Sequence, residues 1–318
     1  MKYKFKKKVF IKYLLIPFLI LDFIILSKNN FKKKKIMKVC LCTCGKKENL
    51  YVKEFVEHYK KYGVDKIFIY DNNDLNGEYF GETISNYIMN DYVKIINFRG
   101  QNKIQLKAMN DCYKKNFLKY DWLLFYDMDE FIFLKDFFNI KSFLNQTKFD
   151  DCKIILLNWV LRSDNELIYY DNRSLFTRFK KKGKKIKHAI DVKPILRGSI
   201  LTTINSVHQI NNNHLKKCDG FGRKKYFEGI NDKNPDYEFY YLDHFYSKST
   251  EEFVNKILRG SVAYGPNKRF YILDNYFDIN EITIEKIEYL EKKLNVNLTK
   301  YRNKIKNEKK NNKKLKFI

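Results

Sequence analysis

Apolar positions along the chain follow two different periods, and each change of period marks an element. Lys38 to Thr43 is a short apolar run of strand length. After it, Val52, Phe55, Val56 and Tyr59 fall at i, i+3, i+4 and i+7, the spacing of a helix with one buried face. Gly63 then stands where a helix end favours a residue of positive φ. Lys66 to Tyr70 reads as a second strand, stopping at the polar loop Asp71-Asn72-Asn73-Asp74. A helix near Gly81 to Met89, a strand over Val93 to Phe98 and a helix over Lys103 to Phe117 follow. Trp122 to Tyr126 is apolar throughout, as in a strand buried on both faces. Strand and helix alternate, which predicts an α/β fold with a mostly parallel sheet and helices on both faces.

The second half is less regular. Ile154 to Trp159, Leu175 to Phe179 and Val192 to Leu196 read as strands. Ser249-Thr250-Glu251-Glu252 is a capping box that opens a helix running to Arg259 and stopping at Gly260. Ile284, Ile287, Leu290 and Leu294 form a last amphipathic helix before a basic tail. The pattern therefore predicts one main domain over 38–275, then a C-terminal helix and disordered basic tail over 276–318.

At the other end, Val9 to Leu26 is an apolar run of about 18 residues, interrupted by Lys12 and Asp22, at the lower limit for spanning a bilayer. No small-x-small cleavage site follows Ser27, so a retained signal anchor fits better than a removable signal peptide. The predicted order is a basic tail at 1–8, a transmembrane anchor at 9–27 and a basic linker at 28–37. Lysines flank both sides of the anchor, so charge alone sets no orientation. Met37 directly precedes the first strand and offers an alternative start that would give a soluble or peripheral form.

Composition changes this picture little. A hydrophobic content of 44% with 17% aromatics excludes a disordered chain. The net charge of +26 over 318 residues invites a nucleic-acid reading. However, the positives are almost all Lys, and the chain is equally rich in Asn, Ile, Phe and Tyr, the residues of A/T-rich codons. Base composition accounts for the excess, and no nucleic-acid partner is expected. Cys40, Cys42 and Cys44 alternate on one face of a strand, unlike the CxxC knuckles of zinc sites. They read as small buried apolar groups, and the six cysteines suggest no disulfide framework or redox compartment.

The chemistry concentrates after Trp122 to Tyr126. Asp127 and Asp129 follow that strand at its carboxyl end, where open α/β sheets place their ligands. In extended geometry alternate residues share a face, so both carboxylates can point at one cation. Hard oxygen ligands suit Mn²⁺ or Mg²⁺, which usually bridge to diphosphate oxygens.

These residues belong to a longer pattern. Glu48-x-x-Tyr51-Val52-x-Glu54-Phe55-Val56-x-His58-Tyr59-x-x-x-Gly63-Val64 and Ile69-Tyr70-Asp71-Asn72 open it. Gln105, Cys112, Asp127-Met128-Asp129-Glu130-Phe131, the Trp159 strand and Val207-His208 continue it. His244-Phe245-Tyr246-x-Lys248-Ser249-x-Glu251-Glu252-Phe253 with Arg259-Gly260 close it. Over about 38–262 the chain resembles glycosyltransferase family 92 and its relatives. The resemblance implies a GT-A fold and transfer of a hexose such as galactose, with inversion, from a nucleotide-sugar (UDP-sugar) donor. It also implies a glycan acceptor on glycoprotein, glycolipid or polysaccharide, and a single-pass type II membrane protein of the Golgi or of a bacterial cytoplasmic membrane. The chain departs from the family pattern at Lys46-Lys47-Glu48, where relatives often have Lys-Asn-Glu, and at Arg162-Ser163, where an aromatic-Gly pair is usual.

Individual roles follow from the combined reading. Asp127 and Asp129 are the expected metal carboxylates, with His244 and His208 as candidates for an imidazole ligand. Asp71, Glu48, Gln105 and Lys248 are the expected donor contacts, Lys248 as a point charge on the diphosphate. An inverting transfer needs a general base, and Asp164 is the first candidate, with Glu130 and Asp191 as rivals. A different class of function would be a transferase fold without turnover that grips anionic glycan, lipid or nucleic acid through its lysines.

Overall fold

The computed structural model describes residues 36–183, 191–208, 210, 212–224, 235–260 and 269–315. The chain divides into two compact units, Met1–Met37 and Lys38–Ile318. The predicted anchor at 9–27 lies outside the described residues; among those described, no helix is long and apolar enough to cross a membrane.

The second unit is α/β. Its first half is β1 (Val39–Gly45), α1 (Asn49–Lys61), β2 (Lys66–Asp71), α2 (Phe80–Met89), β3 (Val93–Asn97), α3 (Gln105–Asn116) and β4 (Trp122–Phe125). These strands lie side by side in the order β3-β2-β1-β4, all parallel. Val52, Phe55, Val56 and Tyr59 are the buried face of α1, and Gly63 has φ +79° where the helix turns away. Val39, Cys40 and Leu41 pair with Trp122, Leu123 and Leu124, so β1 and β4 run level and deliver their carboxyl ends to one edge. α3 packs Ala108, Met109 and Cys112 into the core cluster that contains Cys40, Cys42 and Cys44.

The second half departs from a parallel sheet. Its elements are β5 (Glu130–Leu134), α4 (Ile140–Leu144), β6 (Ile154–Leu161), α5 (Leu175–Arg178), β7 (Val192–Arg197), β8 (Lys217–Cys218) and β9 (Tyr240–His244). β7 joins β4 antiparallel, β6 joins β7 antiparallel, and β9 lies parallel to β6 and antiparallel to β5. The sheet is therefore mixed, with the order β3-β2-β1-β4-β7-β6-β9-β5. Leu175 to Arg178 is a helical turn instead of the expected strand, because the Ser174 hydroxyl caps it by accepting from the Thr177 amide at 3.2 Å.

The C-terminal elements are α6 (Thr250–Arg259), α7 (Arg269–Ile279), α8 (Ile284–Leu294) and α9 (Thr299–Leu315). Phe253 and Ile257 of α6 share a core with Tyr276 and Phe277 of α7, Ile287 and Leu290 of α8, and Tyr301 and Ile305 of α9. The boundary expected at 275 thus falls inside α7, and a helix occupies much of the basic tail read as disordered. Tyr301 and Ile305, four residues apart, supply the apolar stripe that holds it.

The cysteine reading is corrected as well. Cys42 is joined to Cys112 and Cys152 to Cys218, while Cys40 and Cys44 stay free and buried, as small apolar groups would. The first bridge ties β1 to α3 and the second ties the segment before β6 to β8.

Candidate active site

The chain leaves β4 through Tyr126-Asp127-Met128-Asp129 and enters β5 at Glu130, so the carboxylates sit in a tight connection at the sheet's carboxyl edge. The connection is closed by the Glu130 amide donating to the Asp127 carbonyl at 3.0 Å and by the Asp127 amide donating to Glu130 Oε2 at 2.9 Å. The two aspartates of this turn take different partners. The Asp127 carboxylate accepts from Gln105 Nε2 at 2.6 Å, at the first turn of α3, and from Lys193 Nζ of β7 at 2.7 Å. Asp129 has other partners and lies 2.8 Å from Lys256 Nζ of α6 and 3.6 Å from His244 Nε2 at the end of β9.

Asp129, Glu130 and His244 each offer a ligand atom, all within 4.8 Å of one another and all buried. β9 builds this group, because its pairing sets His244 directly opposite Glu130. Two carboxylate oxygens and one imidazole nitrogen suit Mn²⁺ or Mg²⁺. Glu130 Oε1 is buried and makes no hydrogen bond among the described residues, though the Lys193 ammonium stands 3.3 Å from it. Asp127, expected to share that cation, stands next to this group in the chain and is paired with Gln105 and Lys193, as Asp129 is with Lys256.

The electrostatics agree with two distinct roles. Burial alone would raise the Asp129 carboxyl, but Lys256, His244 and Lys248 hold it well below the usual carboxylate range. Burial pushes Glu130 well above that range; Lys193 opposes the shift and the neighbouring Asp127 and Asp129 reinforce it. Burial also lowers His244, which keeps its imidazole neutral, the form that binds a metal.

A second group of charges adjoins Asp129. Glu48, buried at the start of α1, pairs with Lys248 at 3.0 Å and with Arg259 at 2.5 Å. Arg259 also donates to the carbonyls of Lys46 and Lys47 at 2.6 and 2.9 Å, so the Lys46-Lys47-Glu48 variation leaves these backbone contacts available. Lys248 has φ +53° and its ammonium lies 3.6 Å from the centre of the Tyr51 ring. A left-handed lysine costs about 1–2 kcal/mol, and the strain aims this one into the cluster. The capping box on Ser249 and Glu252 then starts α6, which supplies Lys256 and Arg259 one helical turn apart. Three cations, Lys248, Lys256 and Arg259, thus converge on two carboxylates, Glu48 and Asp129, leaving a positive excess suited to an anionic ligand.

Beside Asp127 lies a narrow cleft lined by Cys44, Tyr70, Gln105, Met109, Asp127 and Lys193. His208 lies by Trp159, its ring 5.2 Å from the indole, and burial and Lys193 lower it to about 4. Two expected site residues lie outside these groups. Both oxygens of Asp71 are engaged, one by the Asn73 amide and one by Arg99, which also clamps the carbonyls of Asp74, Gly77 and Glu78. Asp164 is buried in an ion pair with Lys286 of α8 at 2.7 Å and accepts from the Tyr276 hydroxyl of α7. Its partners place it in the C-terminal helical core.

Sequence reading missed Lys193 and Lys256. Lys193 interrupts the apolar strand Val192-Lys193-Pro194-Ile195-Leu196, and Lys256 sits beside Phe253 and Ile257 on the buried side of its helix. A charge amid apolar positions was the available signal in both cases.

A family model described as Glycosyltransferase family 92 matches residues 35–219, more than half of the chain. The chain belongs to glycosyltransferase family 92. As a member of that family it is a glycosyltransferase; the match covers Glu48, Gln105, Asp127, Asp129 and Lys193, and stops before β9 and α6. No curated protein matches the chain. Among solved structures, the first 349 residues of TarS from S. aureus in complex with UDP are 13% identical, covering 79% of this chain and 77% of that one at a TM-score of 0.37. The same protein with UDP-GlcNAc is 12% identical over 79% and 77%, at 0.35. The mannosyltransferase PcManGT from Pyrobaculum calidifontis, with GDP-Man and Mn²⁺, is 9% identical at 0.29, and the match spans 42% of this chain and 41% of that one. These likenesses are too loose to assign a fold or a ligand.

Proposed function

We propose that this family 92 chain, on a GT-A fold, transfers a hexose such as galactose from a UDP-sugar to a glycan acceptor, with inversion and with Mn²⁺ or Mg²⁺. The observation that carries the reading is the buried Asp129–Glu130–His244 group, bordered by Lys248, Lys256 and Arg259. Asp129, Glu130 and His244 would hold the cation, and Gln105 and Lys193 keep Asp127 beside the cleft. A bound divalent cation would act as a Lewis acid on the diphosphate. Lys248, Lys256 and Arg259 supply further positive charge where the leaving group gains negative charge, pre-aligned by their present carboxylate partners. Burial lowers Lys248, so an arriving diphosphate would stabilise its charged form. Two disulfides support an oxidising compartment for this domain, in keeping with an anchor at 9–27 that leaves the domain on the lumenal or outer side of a membrane.

The test is a screen of UDP-sugars for cleavage by the full chain with Mn²⁺, with EDTA, and with Asp129→Ala. Release of UDP from one donor, lost in both controls, supports the reading and names the sugar. Cleavage that survives EDTA and Asp129→Ala refutes the metal assignment.

A further inference from the structure

The register between β6 and β7 gathers a second polar group on one face of the sheet. Asn158 pairs with Val192 and Leu157 with Lys193, and the Trp159 amide donates to the Asp191 carbonyl at 3.0 Å. Alternate residues of a strand share a face, so Trp159, Asp191 and Lys193 project to one side. The Lys193 ammonium lies 5.7 Å from the centre of the indole. β9 brings His244 to the same side: it pairs with Leu161, two residues beyond Trp159, and its ring lies 4.2 Å from the indole. His208 borders the same indole.

Four polar atoms of this group are buried and find no hydrogen-bond partner among the described residues: Trp159 Nε1, Asp191 Oδ1, His208 Nδ1 and His244 Nδ1. Unpaired buried groups are few in folded proteins, because each forfeits its solvation. Four around one partly buried indole match a ligand that offers many hydroxyls and an apolar ring face, which is a sugar.

We propose that this group is the acceptor subsite and that Asp191 is the base for the transfer. The inference rests on the transferase reading above. In the step, the acceptor hydroxyl gives its proton to Asp191 Oδ1 as its oxygen bonds to the anomeric carbon. The bond from that carbon to the diphosphate oxygen breaks, and the electron pair leaves with the nucleoside diphosphate. Burial, opposed by Lys193, raises the Asp191 carboxyl to about 6, which suits a base working near neutral pH. Among the described residues, the charged or titratable groups around it are Lys193 on its own strand and His208 and His244 across Trp159. Its rivals are otherwise committed, Asp164 to Lys286 and Tyr276, Glu130 to the Asp127 amide and Lys193.

The experiment uses the full chain, Asp191→Asn and Asp191→Ala. It measures Mn²⁺-dependent UDP binding by calorimetry and UDP release from the UDP-sugar, with water as nucleophile, from pH 5 to 9. The expected result for Asp191→Asn is UDP affinity within about twofold of the unaltered chain, a loss of release of roughly 10²–10⁴-fold, and no acid limb near pH 6. Azide, a nucleophile without a proton to lose, should restore release by Asp191→Ala and leave the unaltered chain unaffected. Release within threefold of the unaltered chain in Asp191→Asn, an unchanged acid limb, or failure of azide to restore release would overturn the assignment of Asp191 and leave the transferase reading standing. If the unaltered chain neither binds UDP nor cleaves any UDP-sugar, the transferase reading itself falls and this inference with it.

Discussion

Replacing Cys152 and Cys218 by alanine opens a loop whose ends are 66 residues apart in sequence. On the chain-entropy account, a bridge across that separation removes about 4 kcal/mol of conformational freedom from the unfolded state. Breaking the Cys42–Cys112 bridge, with a separation of 70, has the same calculated cost. At roughly 2–4 °C per kcal/mol for a domain of this size, each change should lower Tm by roughly 8–16 °C. The loops do not overlap in sequence, so the losses should add to about 8 kcal/mol, comparable with the whole stability of an ordinary domain. The two variants should differ in activity. Cys152 and Cys218 lie apart from the carboxylate cluster, whereas Cys112 belongs to α3, whose Gln105 holds Asp127. Urea titration followed by tryptophan fluorescence gives the stabilities, and thiol titration of the unfolded, unreduced chain counts the bridges. Two reactive thiols are expected from the six cysteines, those of Cys40 and Cys44. Six reactive thiols, or a stability loss under about 1 kcal/mol in both variants, would refute the pairing and the compartment argued from it.

Other consequences are as direct. Asp164→Ala leaves the buried Lys286 ammonium without its counter-charge, so it should cost about 3–5 kcal/mol in urea titration while UDP affinity stays unchanged. Gly198→Ala places a Cβ 1.9 Å from the Tyr120 carbonyl oxygen and 2.8 Å from that of Phe117. The backbone must shift there, and a loss of about 1–3 kcal/mol is expected. Asp191 makes stability fall with rising pH. Below about 3.9 both states hold its proton, and between there and about 6 the unfolded state releases it while the folded state keeps it. Its contribution is therefore full at low pH and lost as pH rises through about 6, on the order of 3 kcal/mol in all. Asp191→Asn should remove that slope when urea midpoints at pH 4 and pH 7 are compared.

The periodicity of the first half was enough to place β1, α1, β2, α2, β3, α3 and β4 close to their observed positions, because each is a local pattern that one buried face explains. The turn carrying Asp127, Asp129 and Glu130 was legible for the same reason, since an acidic cluster after a fully apolar strand is a local signal. The capping box of α6 was legible too. β5 and β9 were not read as strands, and Leu175 to Arg178 was read as one in error. Short apolar runs carry little periodicity, and pairing or a cap decides their state.

What the sequence alone determined is the list of groups and their local settings: a carboxylate triplet at the end of a buried strand, a capped helix with basic residues, a histidine ahead of it. Tertiary structure decided how they combine. Only the β5–β9 pairing brings His244 opposite Glu130, across more than a hundred residues, and only the turn's hydrogen bonds send Asp127 to Lys193 and Asp129 to Lys256. The disulfides were hidden for the same reason, because alternating cysteines on a strand look alike until a helix 70 residues away is laid against one of them. Burial then set the charge states. The same residue types, Asp and Glu, end up strongly acidic at Asp129 and weakly acidic at Glu130, because neighbouring cations prevail over desolvation at the first and desolvation prevails at the second.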